Sequence, residues 1–180
     1  MHQAVRRAIS AYLKEGHFPT LEETGLAGSE ASWTKDPLFV TLYRDGKVVA
    51  SSGRIHLKAE STAKELIEHS ILCLKDPRFP ASVKSPEDLA DVRMRVDVIK
   101  TSGRRVLASI GALDMRKEGV IFLAQGRNAL SVVLPGTYNL AETPEQVLDI
   151  AMKKAGVDPA SVKEEEYVVY GIETVVSSDF

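Results

Sequence analysis

Val92, Met94, Val96 and Val98 alternate with Arg93, Arg95 and Asp97, and no other feature constrains the fold of this chain so tightly. Successive side chains of a strand point to opposite faces, so this period of two demands a strand with one buried face. Such a strand needs partners, and the sequence supplies them as hairpins. Leu38 to Tyr43 is rich in branched and aromatic residues. Asp45-Gly46 follows as a turn that tolerates positive φ, and Val48 to Ala50 begins the return. A second hairpin is expected where Gly119 to Leu123 and Ala129 to Leu134 flank Gly126-Arg127-Asn128. Tyr167 to Val176 reads as a final strand.

The helices come in blocks between these strands. Val5, Ala8, Ile9, Tyr12 and Leu13 recur at helical spacing, with Gly16 as the stop. Residues 17 to 36 are polar and irregular, and we expect a wrapping arm there. Thr62 to Lys75 carries the clearest apolar face (Ala63, Leu66, Ile67, Ile71, Leu74), with capping-box spacing between Thr62 and Glu65. Ser85-Pro86-Glu87-Asp88 opens a short helix, and Thr143-Pro144-Glu145-Gln146 opens one ending near Ala155-Gly156. Antiparallel hairpins with blocked helices predict an α+β fold, a mainly antiparallel sheet with packed helices. Residues 1–180 are expected to form a single domain.

The composition limits function. Of the 180 residues, 44% are hydrophobic and 27% charged, which excludes a disordered, collagen-like or mainly membrane-embedded chain. Lys+Arg 23 against Asp+Glu 25 gives no overall field for nucleic acid or acidic lipid. The first residues, MHQAVRRAISAYLKEG, lack an apolar run, so neither a signal peptide nor a membrane anchor is expected. The lone Cys73 cannot form an internal disulfide, which fits a reducing, cytoplasmic setting.

Motifs for chemistry are sparse. His2, His17, His56 and His69 lack metal-ligand spacing, so no metal is expected. His69 lies four residues after Glu65, a spacing expected to give a surface pair. No phosphate-binding glycine loop or dinucleotide fingerprint occurs, and no cofactor is expected. Ser51 and Ser52 precede Gly53 near a strand end without a nucleophile-elbow pattern, which favours ordinary loop hydrogen bonding. Cys73, between Leu72 and Leu74, reads as a packed thiol. Arg93, Arg95 and Arg104-Arg105 are read as a solvated sheet face balanced by Asp91 and Asp97, and against a strip for RNA.

Leu38-Phe39-Val40-Thr41-Leu42 and Asp76-Pro77-Arg78-Phe79-Pro80 carry a resemblance. In order with Gly119-Val120-Ile121, Gly126-Arg127, Leu134-Pro135 and Lys154-Ala155-Gly156, they make the chain similar to the AMME chromosomal region protein family over nearly its whole length. One stretch departs from the family. Where its members usually carry Leu-Arg-Gly-Cys-Ile-Gly, this chain has Val48-Val49-Ala50-Ser51-Ser52-Gly53. Ser51 stands at the cysteine position, and a hydroxyl that is hardly ionised near neutral pH cannot replace a thiolate. The resemblance implies two unequal lobes with the motif region beside a cleft. It also implies a pathway shared with Memo-like and radical SAM proteins, which are often encoded nearby or fused.

These observations favour a binding or accessory protein over an enzyme. The expected ligand is a small anion or a protein partner, held near Ser51, Ser52, Gly53, Arg78 and Arg127. The alternative is a hydrolase or transferase using Ser51 or Ser52, which requires His56 or His69 within hydrogen-bond reach. Nucleic-acid binding ranks third. Sheet-edge strands offer a route to a homodimer, and no membrane contact is expected.

Overall fold

The computed structural model describes residues 1–79, 83–137 and 141–180. Pro80, the last residue of the Asp76–Pro80 stretch, lies outside them. The chain divides into two compact units, Met1–Ile99 with Val175–Phe180, and Lys100–Thr174. Every described strand pair is antiparallel, so the fold is α+β as the hairpins predict.

In the first unit, β1 (Leu38–Arg44), β2 (Lys47–Gly53) and β3 (Arg93–Ile99) run in the order β2-β1-β3. Asp45 and Gly46 take φ of 51° and 72°, the two left-handed residues that a tight hairpin of this hand requires. α1 (His2–Glu15) and α3 (Thr62–Cys73) contribute Val5, Ile9, Ala63 and Leu66 to a core shared with Leu38, Val40, Leu42, Met94 and Val96. The chain end is tied in here: the Asp179 carboxylate accepts the Met94 N–H at 2.6 Å and an Arg6 N–H at 3.0 Å.

Several details differ from the sequence reading. The segment 17–36 contains a helix, α2 (Leu21–Thr24), opened by a Thr20/Glu23 capping box and closed by Gly25 at φ 72°. A helix this short has no apolar periodicity to betray it. The cap of α3 is Ser61, whose hydroxyl accepts the Lys64 N–H. Thr62 instead bridges the Asp36 backbone, and Glu65 turns into the interior. The second face of β3 is solvated at Arg93 but not at Arg95 and Asp97. Arg95 donates twice to Asp97, at 2.7 and 2.8 Å, and the Asp97 side chain is fully buried.

In the second unit, β4 (Arg105–Val106), β5 (Glu118–Ala124), β6 (Ala129–Val133) and the start of β7 (Tyr167–Ser178) pair in the order β4-β7-β5-β6. α4 (Pro144–Lys154) packs Val147, Ala151 and Met152 onto Val120, Phe122 and Val133. Thr143 caps α4 by accepting the Gln146 N–H at 3.4 Å, as its spacing predicts.

Candidate functional site

The pairing of β2 with β1 sorts the two serines. Ser52 lies opposite Val40 and Ser51 opposite Thr41, so their side chains emerge on opposite faces. Ser51 Oγ lies 3.1 Å from Thr41 Oγ1. Gly53 lies opposite Phe39, whose ring covers it: a Cβ there would sit 2.3 Å from Phe39 Cδ1. Only glycine fits that approach.

The outer position of β2 leaves backbone groups of Ser51 without a strand to bond, and the turn after α3 satisfies them. Asp76 accepts the Ser51 N–H at 3.0 Å, while Arg78 Nη2 donates to the Ser51 carbonyl at 3.2 Å. Asp76 also accepts the Arg78 backbone N–H, Nε–H and Nη2–H at 3.0, 3.0 and 2.7 Å. The two side chains together occupy the place of a neighbouring strand. Arg78's side-chain bonds to the buried Asp76 carboxylate hold its pKa down at about 2, with the Ser51 and Arg78 backbone N–H groups adding to them against burial. The niche at Ser51 and Arg78 is thus filled by the protein's own anion. The Arg78 side chain remains 58% exposed, 5.4 Å from the centre of the Phe79 ring.

Cys73 lies behind this clasp. Its thiol donates to the Val40 carbonyl at 3.4 Å, and burial, reinforced by Asp76, pushes its pKa up to about 12. It is the packed thiol that its neighbours predict, and no thiolate forms there near neutral pH.

On the α3 face, Ser52 Oγ lies 2.8 Å from His69 Nδ1. His69 Nε2 lies 3.3 Å from Glu65 Oε1, close enough for an ion pair, but both atoms are buried without an aligned hydrogen bond. The Glu65–His69 pair is therefore internal, not on the surface, because α3 lies over the core face of the sheet, where Ser52 sits beside Val40, Leu42 and Ala50. Glu65 Oε2 accepts the Ala59 N–H at 3.0 Å. Arg54 brings Nε within 3.1 Å of Glu65 and donates through Nη2 to Glu68 at 2.5 Å. Burial lowers the His69 pKa, Arg54 lowers it further, and Glu65 and Glu68 oppose both, so the ring is neutral near pH 7. His56 is exposed and bonds neither serine.

Arg127 lies in the second unit, where it donates to the Ser161 carbonyl at 2.9 Å and lies 3.5 Å from Glu166. The structure thus gathers Ser51, Ser52, Gly53 and Arg78 around one strand end of the first unit, with Arg127 on a hairpin of the other.

Two features escaped the sequence reading. Glu15, His17 and Glu23 converge on the surface, with His17 Nε2 at 3.5 and 3.8 Å from the two carboxylates. The other Glu23 oxygen is committed to the Thr20 cap. A hollow of about 600 Å³ also opens between the α1–α2 connection and α3, walled by Phe18, Leu21, Ile67, Lys58, Lys64 and Glu60 among others. None of the five expected ligand residues lines it. Residues so far apart in sequence leave no local signal of a shared wall.

An α+β chain of antiparallel hairpins, with an outer strand clasped by an Asp–Arg pair and no ionised thiol, defines the class. The chain belongs to the AMMECR1 family, whose profile matches residues 2–176. It is similar in fold to an uncharacterised protein, PH0010, from Pyrococcus horikoshii, with a TM-score of 0.78 and 22% identity over 97% of this chain and 87% of that one. No curated protein matches it significantly. Among the described residues, no helix is long and apolar enough to cross a membrane.

Proposed function

We propose that this AMMECR1-family chain is a binding or accessory protein for a small organic anion with an apolar body, held in the hollow beside α3. One observation carries the reading: the hollow joins exposed apolar surface to a cation that has no acidic partner among the described residues. Phe18 is 53% exposed, and Leu21 and Ile67 extend the apolar wall. Of the charged groups around them, Lys64 is paired with Glu60 and Glu68 with Arg54. Lys58 is exposed and has no ion-pair partner among the described residues. The volume of the hollow falls within the range that accommodates small ligands. Apolar wall and lone ammonium together select a carboxylate or phosphate ester carrying an alkyl or aryl group.

Ligand binding raises the melting temperature of a folded protein, so a thermal-shift titration with decanoate and phenyl phosphate tests the proposal. A shift at millimolar ligand that disappears in Lys58→Glu is expected. No shift, or an equal shift in Lys58→Glu, rejects it. A second placement, at Ser51 to Gly53, rests on the half-exposed guanidinium of Arg78 that Asp76 holds in position. Loss of the shift in Arg78→Ala, with Lys58→Glu unaffected, would select that placement. The accessory role beside Memo-like and radical SAM proteins belongs to the same reading, and co-purification with such proteins tests it.

A further inference from the structure

We propose that Ser52 is a nucleophile toward small carboxylic esters, with His69 as its general base and Glu65 as the carboxylate that positions His69. This activity is separate from the anion hollow. The array comes from two rigid elements: Ser52 from β2, and Glu65 and His69 four residues apart on α3. Nucleophile and base are already bonded at 2.8 Å, within the reach that proton transfer requires. With the imidazole proton on Nε2, the nitrogen that lies 3.3 Å from the Glu65 carboxylate, Nδ1 is the acceptor of the Ser52 hydroxyl. His69 is 3% exposed and Ser52 is half-buried, so the base is the more sheltered of the two.

The reaction balances with these groups alone. Ser52 Oγ bonds to the ester carbonyl carbon as its proton passes to His69 Nδ1. The tetrahedral species collapses, the bond to the alcohol oxygen breaks, and Nδ1 returns the proton to the departing alcohol. The resulting Ser52 ester is attacked by water, whose proton again passes through Nδ1. A carboxylic acid leaves and the Ser52 hydroxyl is restored. Glu65 acts when the ring is charged. The unaligned 3.3 Å contact at rest gains most once an imidazolium forms against a buried carboxylate, so it favours the transition state over the resting state.

The test uses the full chain and a fluorophosphonate probe, with intact mass and peptide mapping. A single adduct on Ser52 is expected, absent from Ser52→Ala. Hydrolysis of p-nitrophenyl acetate should fall at least about 100-fold in the same variant, because without the nucleophile the general base has no proton to take and its usual contribution is lost as well. His69→Gln should slow labelling equally, but its buried site risks unfolding. The wild-type pH profile therefore provides the second readout. His69 faces Arg54 from the segment after β2, and Glu65 and Glu68 from its own helix. Labelling should be constant near neutral pH and fall as acid protonates Nδ1. The proposal is overturned by no Ser52 adduct on the folded chain under conditions that saturate a serine hydrolase control. It is equally overturned by labelling elsewhere, by a flat pH profile, or by unchanged turnover in Ser52→Ala. None of these outcomes bears on the Lys58 test.

Discussion

Replacing Asp76 by Asn should remove a pH-dependent share of the stability of the first unit. The carboxyl titrates near 3.8 when free and at about 2 in the fold. That difference of 1.8 units (3.8 minus 2) corresponds to about 2.4 kcal/mol at about 1.36 kcal/mol per unit. Arg78 is more than half exposed, so solvent screens part of the attraction, and about 1–2 kcal/mol is expected. The sign follows from the direction of the shift. A depressed carboxyl pKa contributes fully above pH 4 and loses its contribution as pH falls toward 2. The substituted amide would still offer a carbonyl to the Ser51 N–H, but it would leave Arg78 without a counter-charge. Urea unfolding at pH 6 should show the variant weaker by about 1–2 kcal/mol, equivalent to about 2–8 °C in melting temperature. The gap should close between pH 4 and pH 2. Glu118 and Asp179, whose pKa values are also lowered, titrate in both proteins and cancel in the comparison. A gap that stays constant with pH, or none at pH 6, would refute the view that Asp76 acts as a charged clasp.

Three further outcomes are expected. Gly53→Ala places a Cβ 2.3 Å from the Phe39 ring and 2.6 Å from the Leu38 carbonyl, so thermal melting should show a loss of about 1–3 kcal/mol. Cys73 should resist a thiol-reactive disulfide reagent at pH 8 until the protein is unfolded, because burial holds its pKa at about 12; rapid reaction of the folded chain would contradict this. Arg95→Ala strips the bidentate partner from the fully buried Asp97, and a loss of about 3–5 kcal/mol in urea unfolding is expected, whereas a loss under about 1 kcal/mol would show that other contacts suffice.

What the sequence revealed was whatever depends on neighbours along the chain. The alternation from Val92 to Val98 gave β3, and Asp45-Gly46 gave the first hairpin, because pleat and turn are local. Caps were legible when spacing alone decided them, as at Thr143. At Ser61 and Thr62, two adjacent hydroxyls competed and tertiary contact with Asp36 chose between them. The fate of Arg95 and Glu65 was hidden for a related reason. Whether a charged residue on a strand or helix meets water depends on what packs over it, and here each meets an opposite charge on a buried face. Ser51 and Ser52 were found together but separated by the pleat, and only the helix register brought His69 to the second of them.

At residue 51, where the family resemblance leads to the expectation of a cysteine, the same geometry applies. The clasp from Asp76 and Arg78 bonds the backbone N–H and C=O of residue 51 and makes no use of its side chain. A cysteine or a serine there is therefore held equally well, and the Asp-Pro-Arg-Phe stretch keeps its structural purpose whichever side chain stands opposite Thr41. Neither Cys73 nor Ser51 is an activated nucleophile: Cys73 is buried with a raised pKa, and the Ser51 hydroxyl has no base among its described bonds. The proposed nucleophile lies one residue further on, where the pleat turns Ser52 toward α3 and its hydroxyl lies 2.8 Å from His69 Nδ1.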